Sequence, residues 1–228
     1  MFYYGPWYWT LRTLCRTISH RYECIYKAPI EESTVLVCRH FDIHGPLICA
    51  LYMPVTFHLW ALDKLYDRKL CRQHYRTHLA PKKFNLGPKG SRIFADVFAP
   101  LVSALFKSMR AIPVYREKRS IAKTMKQSLE ALMRGENLMI APEVDYQSQE
   151  RHVGSMYEGF IKLAKYYYKT TKKPLTFQPI YPSKSSRRII VGEPITYNPQ
   201  ESHIKEQKRI IEELRAQLNS MADEYDIV

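Results

Sequence analysis

The sequence predicts an α/β fold, a mixed, mostly parallel central sheet flanked by helices with an N-terminal interfacial helical segment before it. Three observations carry that expectation. Short apolar runs at 35–38, 111–115, 137–142, 176–182 and 189–191 read as strands, several of them buried on both faces. Segments of helical spacing lie between them, the clearest starting at Ser120, with Ile121, Met125, Leu129 and Leu132 on one face and Gly135 at its end. Three of the strand-like runs end directly in titratable or charged side chains, and strand ends are where α/β proteins hold their ligands.

The remaining elements follow in chain order. Residues 1–20 mix Trp7, Trp9 and several tyrosines with Arg12 and Arg16, a composition suited to a membrane–water boundary as well as to the cap of a core. Residues 24–26 and 35–38 suggest a hairpin-like start, and 47–62 is apolar enough to pack beneath the loop after residue 38. Between Lys64 and Arg92, nine Lys and Arg face Asp67 alone. A patch of that sign docks on anionic lipid or is simply a solvated face. Residues 93–109 have the spacing of a helix that Pro100 should kink. Gly159 to Tyr168 reads as a basic, aromatic helix. From Ser202 a last helix places Ile204, Ile211, Leu214, Leu218 and Met221 on one stripe.

Length and composition narrow the function. A chain of 228 residues, 46% of them hydrophobic, suits one sizeable α/β domain, taken as 23–228 after a membrane-interface segment at 1–22. The balance of 35 basic against 22 acidic residues gives +13, so a negatively charged partner is expected. Five widely spaced cysteines without a C-x-x-C pair argue against a disulfide framework or a zinc site, and no metal is expected. No run reaches the ~18 uncharged apolar residues of a spanning helix. Nucleic acid is not expected as a partner, because charge and tyrosines come without any reading motif.

The chemistry is expected where the run 35–38 ends, in Arg39-His40-Phe41-Asp42-Ile43-His44-Gly45-Pro46. A second run ends in Arg116, and a third is followed by Glu143, Asp145 and Tyr146. In order and flanking residues these resemble the glycerophospholipid acyltransferases of the lysophosphatidic acid type, whose motifs are N-H-x-S-x-x-D-P, G-x-I-x-V-x-R and F-P-E-G-T-R-S. The family's later features have counterparts in Gly159-Phe160-Ile161-Lys162-Leu163-Ala164, in Gln178-Pro179-Ile180 and in Gly192-Glu193-Pro194. The resemblance covers roughly 35–195.

That resemblance implies an O-acyltransferase, moving a fatty acyl group from an acyl thioester to a hydroxyl of a glycerolipid or lysophospholipid-like acceptor. It implies no cofactor, with acyl-CoA or acyl-carrier protein as co-substrate, and a peripheral or monotopic place on the cytoplasmic face of a membrane. His40 takes the role of general base, and Arg116, Glu143, Asp145 and Tyr146 that of acceptor-binding residues. The family's aspartate falls on Gly45, so the partner of the base is missing from its usual position. Asp42 fills that role on one side of His40 if the backbone is extended there, His44 shares a face with it if the segment is helical, and Glu143 reaches across from the third motif. Val144 and Tyr146 replace the glycine and arginine of the third motif, and Asp145 adds a charge that repels a phosphate, which points to an unphosphorylated or cationic acceptor. The altered positions also fit a second reading, an inactive relative that binds acyl chains or membrane surfaces.

Overall fold

The computed structural model describes residues 4–115, 121–145, 147–148 and 150–226. Arg116, Ser120 and Tyr146 lie outside the described residues. In chain order the described elements are α1 (Pro6–Ile18), β1 (Glu23–Tyr26), β2 (Thr34–Cys38), α2 (His44–Tyr52), β3 (Phe57–Leu62), α3 (Asp63–Tyr66), α4 (Arg68–His74), α5 (Ala80–Phe84), α6 (Pro88–Ser108), β4 (Ile112–Val114), α7 (Ile121–Met133), β5 (Asn137–Ile140), α8 (Lys162–Thr171), β6 (Thr176–Ser183), β7 (Arg188–Val191), β8 (Ile195–Thr196) and α9 (His203–Tyr225). A single π-helical turn, Tyr75–Leu79, links α4 to α5. The chain gathers into two compact units, the first holding 12–57 and 125–226, the second 4–11, 58–115 and 121–124.

The first unit is organised around β2. All five of its residues are buried, which is why the run lacks the polar alternation of a half-exposed strand. β2 pairs in parallel with β5 on one side and β6 on the other, in a register that sets Leu36 beside Met139 and Gln178. β7 and β8 run antiparallel to β6, and β1 runs parallel to β7, so the sheet is mixed and mostly parallel. The hairpin-like start does not form. β1 is a short strand that pairs through Ile25 and Ile190 with β7 instead, while β2 is paired on both sides by β5 and β6.

Helices α2 and α9 both pack against β6. The stripe of α9 buries Ile211, Leu214, Leu218 and Met221 as its spacing dictates, whereas Ile204, in the first turn, stays 71% exposed. Its N-terminus is capped by Ser202, whose hydroxyl accepts from the Lys205 N–H. α7 ends as its sequence signals, with Gly135 at a φ of 81°, a left-handed conformation that costs glycine little.

In the second unit β3 and β4 pair in parallel, Trp60 beside Ile112 and Leu62 beside Val114. The rest is helical, α4 lying against α6. α6 remains one helix through Pro100, which is half-buried in it and lacks only the N–H that would have bonded one turn back.

Replacing Ser202 by Ala removes the cap acceptor of α9 and should cost about 1 kcal/mol. A chain of this size would show it as a thermal midpoint ~2–4 °C lower.

Candidate active site at the end of β2

β2 ends in a residue type that interiors seldom accept. Arg39 is fully buried, and its guanidinium is met by protein groups on several sides. Its Nε faces Glu143 Oε2 at 3.3 Å, while its terminal nitrogens donate to the carbonyls of Glu150 at 2.5 Å and Arg151 at 3.3 Å. The plane lies over the Phe41 ring, 4.3 Å from its centre, a cation–π contact that the dry surroundings strengthen. One side chain from the first motif therefore clamps Glu143 of the third motif and two residues of the segment that follows it.

Glu143 completes the clamp. Its Oε1 accepts the His40 backbone N–H at 2.5 Å. Burial pushes its carboxyl pKa up, and the His40 N–H and the Arg39 charge pull it back towards the anion. The carboxylate thus reaches across from the third motif to the backbone of His40. The following residues leave and return as an excursion closed by a bridge between Glu143 and Met156. Asp145 lies exposed on it, its carboxylate accepting from the Gln147 N–H at 3.2 Å.

Beyond His40 the chain turns sharply. Phe41 and Asp42 take φ values of 45° and 62°, in the left-handed region that non-glycine residues enter at a cost. The backbone there is neither extended nor helical, so neither condition set by the sequence for pairing His40 with Asp42 or His44 is met. The turn itself nonetheless brings the Asp42 carboxylate into electrostatic range of the imidazole. α2 begins only at His44, whose Nε2 meets the Tyr22 hydroxyl at 3.3 Å.

Gly45 follows from the tightness of that turn. Its N–H donates to the His40 carbonyl at 3.0 Å, and a Cβ built on it would sit 1.8 Å from the Arg39 carbonyl oxygen. The position at which the resembled family carries aspartate has no room here for any side chain. Directly beneath, the buried Cys38 and Cys49 sulfurs lie 3.6 Å apart, and burial pushes the Cys38 thiol up.

The imidazole of His40 is mostly buried. Desolvation lowers its pKa to about 4, and the Asp42 charge opposes that drop. His44 is lowered to about 4 as well, by burial and by Lys184, with Asp226 opposing. At neutral pH both rings are uncharged, and the His40 ring is able to receive a proton. Sequence reasoning gave no role to Arg39. Its signal was a lone charge continuing an apolar strand, where burial demands partners of the kind it has. Of the other expected site residues, His40, Asp42 and Glu143 are brought together and Asp145 lies on the adjoining excursion.

Against this geometry the comparisons fall into place. Residues 93–183 match the family model described as Acyltransferase, a span running from α6 to the end of β6. Over this span, about two fifths of the chain, the sequence is similar to that family. The crystal structure of the 1-acyl-sn-glycerophosphate (LPA) acyltransferase PlsC from Thermotoga maritima matches 94% of this chain and 76% of its own, with a TM-score of 0.54 and 12% sequence identity. That similarity is one of fold. No curated protein matches the sequence.

Two predictions follow from the strand end. Gly45→Ala forces the Arg39 carbonyl aside and should destabilise the protein by on the order of 3 kcal/mol in denaturant titrations, and Gly45→Asp should not place a working carboxylate beside His40. The second concerns pH. Between pH 6.5 and about 4 the unfolded chain protonates His40 and His44 while the folded chain does not, so stability falls as pH drops through that window. The limit for His40 is about 3 kcal/mol, and half-exposed His44 contributes less. Glu143 has the opposite sign, because its raised pKa lets the folded chain take up a proton earlier. The thermal midpoint should decline between pH 7 and pH 4.5, more steeply in the wild type than in His40→Gln.

Proposed function

We propose that this protein is an O-acyltransferase that moves a fatty acyl group from an acyl thioester to a hydroxyl of a glycerolipid or lysophospholipid-like acceptor. The observation that carries the reading is the largely buried His40, seated at the end of the central strand with Asp42 in electrostatic range. The acyltransferase match over 93–183 and the PlsC-like fold support it.

His40 acts as general base. Its uncharged imidazole takes the proton of the acceptor hydroxyl as that oxygen attacks the thioester carbonyl. The resulting oxyanion collapses, the carbon–sulfur bond breaks, and the departing thiolate recovers the proton from the imidazolium. Burial makes the imidazolium costly, and Asp42 lowers that cost at the moment the charge appears. Glu143 and Arg39 hold the His40 backbone in place, so the base does not have to be positioned at each turnover.

The donor is acyl-CoA or acyl-carrier protein. Arg116 is proposed to hold the anionic group of a substrate, as a guanidinium does bidentately, with Tyr146 and Asp145 on the acceptor side. Asp145 disfavours a phosphate near it and selects an unphosphorylated or cationic acceptor. The protein works from the cytoplasmic face of a membrane without spanning it. No described helix is long and apolar enough to cross, while α1 exposes Trp9, Leu14 and Ile18. The closed position at Gly45 favours one further reading, an inactive relative that binds acyl chains.

His40→Ala separates the two. As an enzyme the protein should lose about 100- to 10,000-fold in kcat with labelled acyl-CoA or acyl-carrier protein and a lipid extract, while liposome binding survives. Retained turnover would remove His40 from the mechanism. Asp42→Asn should cost at least about 10-fold in kcat. It should also move the acid limb of kcat/KM, near pH 4 in the wild type, to lower pH, because Asp42 raises the His40 pKa.

A further inference from the structure

α6 is assembled inside out. Its buried positions are Ser91, Ala95, Ala99 and Ser103, a small-residue stripe at four-residue spacing that lets neighbouring backbone approach, as the Ser103 hydroxyl shows by donating to the Tyr66 carbonyl at 2.9 Å. Its large apolar residues face the other way. Ile93, Val97, Phe98 and Leu101 are between 40% and 67% exposed. At 3.6 residues per turn, Ile93, Val97 and Leu101 lie within about a quarter of the circumference, and Phe94 and Phe98 continue the sector.

Aromatic rings extend the strip. Phe94 stacks on Phe98 with 4.4 Å between centres, and exposed Phe84 at the end of α5 meets Phe94 at 5.0 Å. The Trp7 indole donates to the Leu101 carbonyl at 3.3 Å. A helix in a water-soluble unit normally turns such a sector inward. A contiguous outward strip marks a surface that another phase or molecule covers.

Charge identifies the occupant. All nine Lys and Arg between Lys64 and Arg92 are exposed, and the one acidic residue among them is Asp67. Arg72 is neutralised by Asp96 within the unit. Lys82 and Lys83 immediately precede Phe84, and Lys89 and Arg92 are on α6 itself. A second copy of the same surface would bring like charges together. A bilayer with anionic headgroups presents the complementary layering, phosphate above hydrocarbon, and each basic residue near it contributes about 1 kcal/mol.

We propose that the second unit docks on an anionic phospholipid bilayer through α6, which lies in the interface plane. Ile93, Val97, Phe98 and Leu101, with Phe84, enter the acyl boundary, while Lys82, Lys83 and Lys89 contact the headgroups. The inference deepens the membrane association stated above and does not rest on the role of His40.

Flotation of the full chain with phosphatidylcholine vesicles, with and without phosphatidylglycerol, tests it. The wild type should float with the phosphatidylglycerol vesicles, less so at high salt. The variant Ile93→Ser/Val97→Ser/Phe98→Ser/Leu101→Ser should lose at least about 100-fold in partition while keeping its thermal midpoint. Lys82→Glu/Lys83→Glu/Lys89→Glu should abolish the preference for phosphatidylglycerol. Wild-type binding by the serine variant overturns the proposal. So does a wild-type dimer that floats with neither vesicle and that the serine substitutions dissociate, since the strip would then be a self-interface. His40→Ala should float like the wild type, so a failure of acyl transfer leaves this result standing.

Discussion

A guanidinium with no access to water has to be answered from within the protein, and the answer given to Arg39 fixes the candidate site. Glu143, two backbone carbonyls and the face of Phe41 surround it. Desolvating two charges costs several kcal/mol each, so such a pair is poor evidence for added stability. What it supplies is uniqueness of arrangement. The end of β2 and the segment from Glu143 to Arg151 lie far apart in sequence, and the docking they adopt leaves neither charge stranded. Because Glu143 also accepts the His40 N–H, the backbone of the proposed base is fixed by the same arrangement.

The fold was legible where one rule decided the outcome. The uninterrupted apolar run at 35–38 predicted a strand buried on both faces, and Gly135 predicted the end of α7. Strand partners were not legible. β1, only four residues long, is too short for its pattern to name a partner strand, and register depends on contacts that periodicity does not encode. In α6 the apolar spacing located the helix but not its inner face, because close packing against small residues outweighed burial of large ones. Ile204 was placed on the stripe by arithmetic, although it precedes the part of α9 that meets the sheet.

The site was half legible. Motif order singled out His40, Asp42, Glu143 and Asp145, but how His40 and Asp42 relate was not available from spacing. Counting residues offered extended or helical geometry. The chain adopts two consecutive left-handed residues, a conformation a sequence seldom announces outside glycine and asparagine. Arg39 was passed over because charge beside an apolar run ordinarily marks the way out to solvent.

The approach of Gly45 to the Arg39 carbonyl has a consequence for how this site can vary. Any side chain at 45 must first displace the residue that anchors the clamp, so no single substitution there leads to a working alternative. Variation in the partner of His40 is confined to positions that already carry a side chain. Residue 42 is one such position, where the left-handed backbone favours asparagine or glycine as the replacement for Asp42.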